Sequence, residues 1–320
     1  MTVREDLKTT LNHNLSSGPK TIILAGATGA LGQLIAGYLL QRKATVRALV
    51  RKNSSATAIE ALRAKGAEIR EVDYKNVVEL TEACLGGDCV VSAVSGLREV
   101  IVELQSQLLQ AAVAAGVPRF IPSDYCIDFT KLPAGSNRNL DLRREFQIIL
   151  DKAPINATSI LNGMFTDLLT GQAPVILFKI NRVLYWGKAS QPLDFTTMAN
   201  TAEFTAAAAL DPNSPRFLKI AGEVASIRDL RNTASEVTGH KFRLLWAGSL
   251  GVMKTMIRLT KTFSPGTDEV FPPWQGMQYL YDMLSGLPKL DQLDNNCYPE
   301  IKWTSVKDVL AEKIKLDKLN

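Results

Sequence analysis

The first half of the chain alternates short, β-rich apolar runs with segments whose apolar residues return every three or four positions. TIILA at 21–25 is apolar on consecutive positions, the pattern of a strand covered on both faces of a parallel sheet. Leu31, Ile35 and Leu39 follow at four-residue spacing, one face of a helix. The same reading predicts strands at 45–50, 68–72, 89–93 and 117–121, with helices at 56–65, 77–84 and 99–115 between them. Strands separated by helices of this length are βαβ units, so the pattern predicts an α/β fold: a Rossmann-like, doubly wound parallel sheet.

After Pro122 the rhythm changes. A loop at 129–139, rich in Pro, Gly and Asn, precedes a helix at 140–150 and a sixth strand at 157–161. Further strands are expected at 176–179, 183–186, 217–221 and 242–246, and Ser226/Asp229 and Ser305/Asp308 have the spacing of helix-opening capping boxes. Residues 262–299 hold many Pro, Gly and aromatic residues with weak periodicity, which predicts a lid or pocket wall. The chain thus divides into a flexible tail at 1–19, a sheet domain at 20–161, and a smaller α/β part at 162–320 that shares strands with the first and shapes a substrate cleft.

Composition narrows the chemistry. The 320 residues are 46% hydrophobic and 22% charged, ordinary for a globular chain, and no apolar run approaches the ~20 residues of a membrane span. A net charge of +5, from 37 basic and 32 acidic residues spread along the chain, predicts no nucleic-acid surface. Cys84, Cys89, Cys126 and Cys297 form no CxxC pair, so a reducing, cytoplasmic location is expected, and residues 1–19 lack the apolar core of a secretory signal. With His13 in the tail and His240 at a helix end, a Ser–His–Asp hydrolase and a multi-histidine metal site are both disfavoured, and no metal is expected.

The sharpest signal is GATGALG, Gly26 to Gly32, directly after the first strand and before a helix. Gly26, Gly29 and Gly32 suit a tight turn, a close approach of backbone to a pyrophosphate, and close helix–strand packing, while the helix N-terminus offers free N–H donors. The second strand ends in Arg51 and Lys52 rather than the Asp or Glu that would hold a free ribose 2′-hydroxyl. A guanidinium grips a 2′-phosphate through paired hydrogen bonds, so the expected cofactor is NADP(H).

GATGALG, ALVR ending at Arg51, VVSAVSG at 90–96, GVPRFIPSDY at 116–125, ATSILNGMF at 157–165 and the C-terminal YPEIKWTSVKDVL together resemble one family. It is the NmrA-like, isoflavone-reductase-like branch of the atypical short-chain dehydrogenase/reductases. The resemblance implies that Thr28, Ala30 and Leu31 join the glycines around the pyrophosphate, that Ala93, Val94 and Ser95 run beside the adenosine and its ribose, and that Asp73 touches the adenine. It places Pro122, Ser123 and Asn162 beside the nicotinamide, with Tyr125 and Phe165 where cofactor and substrate meet. The family's reducing members use a lysine in the helix after the PSDY-like stretch; aligned on its apolar residues, that helix carries Arg143 there. Arginine is a poor general acid but polarises a carbonyl, so the proton would come from Tyr125 or water. The only YxxxK, at 298–302, is far from the expected place. Phe165, Trp186, Phe271, Trp274, Tyr279 and Tyr281 are candidates to wall the substrate cleft, Trp274 among the substrate-binding residues.

Two functions follow. One is an NADPH-dependent reductase passing hydride to a small aromatic carbonyl, enone or benzylic ether. The other is a non-catalytic NADP(H) sensor acting through a protein partner, toward which the absence of the lysine leans. The long aromatic C-terminal half exceeds what a sensor needs, so the enzyme is the expectation, with no nucleic acid and no membrane as partner.

Overall fold

The structure, a computed structural model, describes residues 18–319, so most of the expected tail, with His13, lies outside the described residues. Six strands, β1 (Thr21–Ala25), β2 (Thr45–Val50), β3 (Glu68–Glu71), β4 (Cys89–Ser92), β5 (Arg119–Ile121) and β6 (Asn156–Ala157), form one parallel sheet in the order β3-β2-β1-β4-β5-β6. Between them run α1 (Ala30–Gln41), α2 (Ala56–Ala64), α3 (Val77–Cys84), a π-helical segment (Glu99–Leu104) continuing as α4 (Gln105–Ala114), and α5 (Arg138–Leu150). The strand order reverses between β1 and β4, and in such sheets the ligand crevice opens there, at the carboxyl ends of the strands.

The consecutive apolar residues of β1 serve two cores. Ile22 and Leu24 join Val46, Val91 and Ile121 on one face, against Ile35 and Leu39 of α1. Ile23 and Ala25 join Leu49, Val90 and Phe120 on the other, against Leu80 of α3 and Leu108 of α4. A strand with this register tolerates no polar side chain on either side, which is why alternation is absent from its sequence.

The rest of the chain forms β7 (Ser159–Leu161), β8 (Met164–Phe165), β9 (Ile176–Leu177), β10 (Arg182–Tyr185), β11 (Pro192–Thr196), β12 (Phe217–Lys219), β13 (Glu223–Ser226) and β14 (Arg243–Trp246). Its helices are α6 (Met198–Leu210), α7 (Ile227–Thr238), α8 (Leu250–Phe263), α9 (Pro273–Ser285) and α10 (Val306–Leu319). The strand predicted at 157–161 is two: β6 pairs with β5, and past Thr158 the chain continues as β7, which pairs in parallel with β12. The orders β13-β11-β8 and β14-β10-β9 make two further small sheets. Both capping boxes form: the Asp229 amide donates to Ser226 Oγ at 3.3 Å and the Asp308 amide to Ser305 Oγ at 3.1 Å.

Two differences from the sequence reading have clear causes. α6 (MANTAEFTAAAAL) is buried on nearly every side, so it shows no amphipathic period. The segment at 262–299 is not an irregular wall throughout, because α9 occupies 273–285; its buried Gln275 and Asp282 break the apolar pattern. No helix among the described residues is long and apolar enough to cross a membrane.

Candidate functional site

Gly26 sits at φ +75°, and a Cβ there would stand 2.4 Å from the Ala93 carbonyl oxygen. At Gly32 a Cβ would stand 2.2 Å from the Gly26 carbonyl oxygen. Only glycine therefore permits the turn, its contact with the strand-four loop, and the seating of α1 on β1. Gly29 is the N-cap residue of α1 and has no side chain to cap it, so the first-turn amides of Ala30, Leu31 and Gly32 lack partners within the helix. Thr28 closes the loop's other side, its carbonyl accepting from Gln33 Nε2 at 3.0 Å. Free amides at the positive end of a helix dipole suit a phosphate.

Beside this loop, where β2 and β3 end, lies a cleft of about 570 Å³ that brings together Arg51, Lys52 and Asp73, with Tyr74 and Lys75. Arg51 and Lys52 are exposed, and among the described residues neither is in an ion pair. Arg47, in contrast, is spent on the scaffold: it meets Glu68 at 3.4 Å and donates to the carbonyls of Ala83 and Leu85. One Asp73 oxygen accepts from the Lys75 amide at 2.9 Å, a local turn that also holds the carboxylate at the cleft.

Toward the other end, residues 121–129 are all buried. The Ser123 amide donates to Gln105 Oε1 at 2.9 Å and its hydroxyl to the Val94 carbonyl at 2.6 Å, binding the PSDY stretch to the loop of Ala93, Val94 and Ser95. The Pro122 carbonyl accepts from the Asp124 amide. Asn162 is fully buried; its amide donates to the Cys126 carbonyl at 3.0 Å and its carbonyl accepts from Thr196 Oγ1 at 2.7 Å. Neither polar atom of its side chain has a partner among the described residues, leaving one donor group and one acceptor for a bound group. Leu31, Ala93 and Phe165 are half-buried on the core that α1 shares with the sheet.

Arg143 donates from Nε to the Asp124 carbonyl at 2.9 Å and from Nη1 to the Asn139 carbonyl at 3.0 Å. It therefore fastens α5 to the PSDY stretch. Burial alone would lower its pKa, but Tyr279, Cys126 and Asp124 around it hold it above the ordinary arginine value, so it stays a cation. Tyr279 of α9 is its neighbour; burial pushes the phenol up to about 12 against the pull of the guanidinium. Lys131 is elsewhere, paired with Asp291 at 2.6 Å. Tyr298 is also structural, sharing hydrogen bonds of 3.0 Å with Asp211 and Ser214.

Two expected substrate contacts, Tyr125 and Trp274, are buried in the structure. Tyr125 is only 7% exposed, its ring packed into the same core as Ile121, Ile160 and Ala202; burial raises its pKa, and its hydroxyl has no hydrogen-bond partner among the described residues. Trp274 is 1% exposed, with the Arg138 guanidinium 4.8 Å from its ring centre and the Lys261 ammonium at 4.9 Å. Its Nε1 donates to the Pro265 carbonyl at 2.9 Å, making it a strut between α8 and α9. Trp186 is likewise buried, whereas Phe271 is exposed with its ring centre 6.5 Å from that of Tyr279. Sequence reasoning missed Asn53, Tyr74, Lys75, Glu99, Glu103 and Gln107, which line the cleft with Arg51. The i, i+4, i+8 spacing of the last three was the available signal, but which helix face borders a ligand is set by packing.

The sequence pattern that defines the NmrA-like family matches residues 18–264. The chain is 26% identical to an oxidoreductase, swnN, of Metarhizium robertsii over 335 aligned positions, covering 90% of this chain and 95% of that protein. It is 22% identical to the bifunctional pinoresinol-lariciresinol reductase of Forsythia intermedia, covering 93% of this chain and all of that one. The structure of AtPrR2 with NADP+ and (+)pinoresinol superposes with a TM-score of 0.78 at 19% identity, over 93% of this chain and 100% of that chain. That match spans most of the chain, the parallel sheet and the glycine cradle included, and the chain is a member of the NmrA-like family.

Proposed function

We propose that this protein is an NADPH-dependent reductase that delivers hydride to a small, aromatic carbonyl, enone or benzylic ether. The observation that carries the reading is the glycine cradle at the end of β1, whose turn requires glycine at positions 26 and 32, together with a cleft at the end of β2 that presents the exposed cations Arg51 and Lys52. The residues fit the dinucleotide: a diphosphate meets the amides of Ala30, Leu31 and Gly32, and a 2′-phosphate meets Arg51 and Lys52. Relatives named as oxidoreductases and pinoresinol-lariciresinol reductases, and a similar fold holding NADP+, support it.

When bound, NADPH supplies the hydride. The protein's share is placement and electrostatics. Asn162 offers an amide to the nicotinamide end, while Ser123 and Pro122 hold the loop beneath it. Arg143, fixed by two backbone carbonyls, contributes a permanent positive charge that stabilises negative charge developing on a substrate oxygen. The proton comes from water or from Tyr125, whose buried hydroxyl has no partner among the described residues.

Calorimetric titration of the full chain with NADPH and NADH tests the cofactor. Loss of reduced-nicotinamide absorbance in the presence of aromatic ketones, enones, benzylic ethers and pinoresinol tests turnover. Tight NADPH binding with turnover of one class is expected. No heat with either nucleotide refutes the reading.

A further inference from the structure

The cleft beside β2 is electrically two-sided. Arg51, Lys52 and Lys75, with Asp73 among them held by the Lys75 amide, come from the ends of β2 and β3, whereas the helix after β4 contributes Glu99, Glu103 and Gln107 and no cation. Carboxylates facing a phosphate cost binding energy, so a cleft for an anion alone would not be built this way. A ligand with phosphate at one end and a flat ring bearing hydrogen-bond donors at the other matches both walls. Val72 and Leu104 give that ring an apolar surface between them.

The three polar groups of the helical wall differ in what they can read. A Gln107 amide turns over and pairs with either a donor or an acceptor. A carboxylate accepts only. Of the two glutamates, Glu103 stands one turn before Gln107, and Arg98 Nε, 3.7 Å from its Oε1, steadies it while also pairing with Glu145 of α5. The Glu103 side chain is 58% exposed, so its carboxylate is free to meet a ligand and its substitution leaves the core intact.

We infer that Glu103 accepts a hydrogen bond from the exocyclic amino group of the bound dinucleotide's purine, so that the cleft selects a 6-amino over a 6-oxo base. This rests on the NADPH reading and adds to it the recognition of the base. Glu99 reinforces the negative potential at that end, and the cations at the other end fix the direction in which the adenosine 2′-phosphate enters.

The test is calorimetric titration of the full chain, native and Glu103→Gln, with NADPH and with its hypoxanthine counterpart, which carries oxygen in place of the amino group. The native protein is expected to bind NADPH about tenfold more tightly than the 6-oxo analogue, the size of one charge-assisted hydrogen bond lost. In Glu103→Gln the two affinities converge to within about twofold, chiefly through weaker NADPH binding, because the new amide serves either base. A matching thermal melt shows that the variant is folded. Equal affinities in the native protein, or an undiminished preference in the variant, overturn the inference while leaving the NADPH reading in place. Absence of binding by both nucleotides overturns that reading and this inference together.

Discussion

The two ends of the glycine-loop crevice are built on opposite plans. At the β2 end the polar groups point outward: Arg51, Lys52 and Asn53 are exposed around an open cleft. At the β5 end residues 121–129 are all buried, and polar groups such as those of Ser123 are already committed, its hydroxyl to the Val94 carbonyl and its amide to Gln105 Oε1. Asn162, with both side-chain polar atoms unpaired, and the Tyr125 hydroxyl are exceptions among the described residues. The contrast teaches where each kind of specificity resides. On the proposed reading, charge at the open end chooses the nucleotide with little demand on folding, whereas the dry end fixes geometry and loses stability when disturbed.

The most severe break strikes the pivot shared by both ends. Gly26→Ala places a methyl 2.4 Å from the Ala93 carbonyl oxygen at a positive φ, so NADPH binding should disappear from calorimetric titration and the thermal midpoint should fall by several degrees. Next comes the open end. Arg51→Glu should weaken NADPH by about 30-fold, the loss of a charge-assisted pair plus repulsion, while NADH changes less than about threefold and stability not at all. Equal losses for the two nucleotides would erase the proposed division between the ends.

The dry end should behave in the reverse way. Arg143→Ala removes both links to backbone carbonyls and should lower unfolding free energy by about 2 kcal/mol in urea, with NADPH affinity almost unchanged. Turnover of any accepted substrate should fall with it, and Arg143→Lys should recover part of the rate by restoring the charge. A smaller, pH-dependent effect comes from behind that helix. Asp282, buried at α9, has its pKa pushed up to about 7 by desolvation, against the lowering effect of the Asn137 amide that donates to it at 3.0 Å. Because the folded pKa lies above the unfolded value, its contribution is fully present below about pH 4 and is lost as pH rises through 7. Asp282→Asn keeps the acceptor and removes the ionisation, so urea midpoints should show the variant gaining on the native protein between pH 5 and 8, by on the order of 1 kcal/mol or more.

The crevice's open end was largely legible in the sequence, because what makes it is local. The GATGALG turn, the helix that follows it and the pair Arg51–Lys52 need only the order of neighbouring residues to be recognised. Helices such as α3, with the predicted limits 77–84, and the two capping boxes are local in the same sense. What escaped is what tertiary packing decides. Tyr125 directly follows Asp124 of the PSDY stretch, yet its ring turns to the core side, a choice made by Ile160 and Ala202 from distant segments. Trp274 looks like a pocket aromatic until Arg138 and Lys261 arrive on it. Glu103 and Gln107 escaped altogether, since no local pattern says which polar face of a helix borders a cleft.

The passage from β6 to β7 carries one more consequence. A single stretch of backbone is laced to β5 on one side of Thr158 and to β12 on the other, so the two halves are sewn along the same seam. Swinging them apart as rigid shells would tear out ladder bonds, and entry for a substrate has to be arranged locally. The mostly exposed span at 264–269 is itself tethered, by Trp274 to the Pro265 carbonyl and by Arg138 to the Glu269 carbonyl.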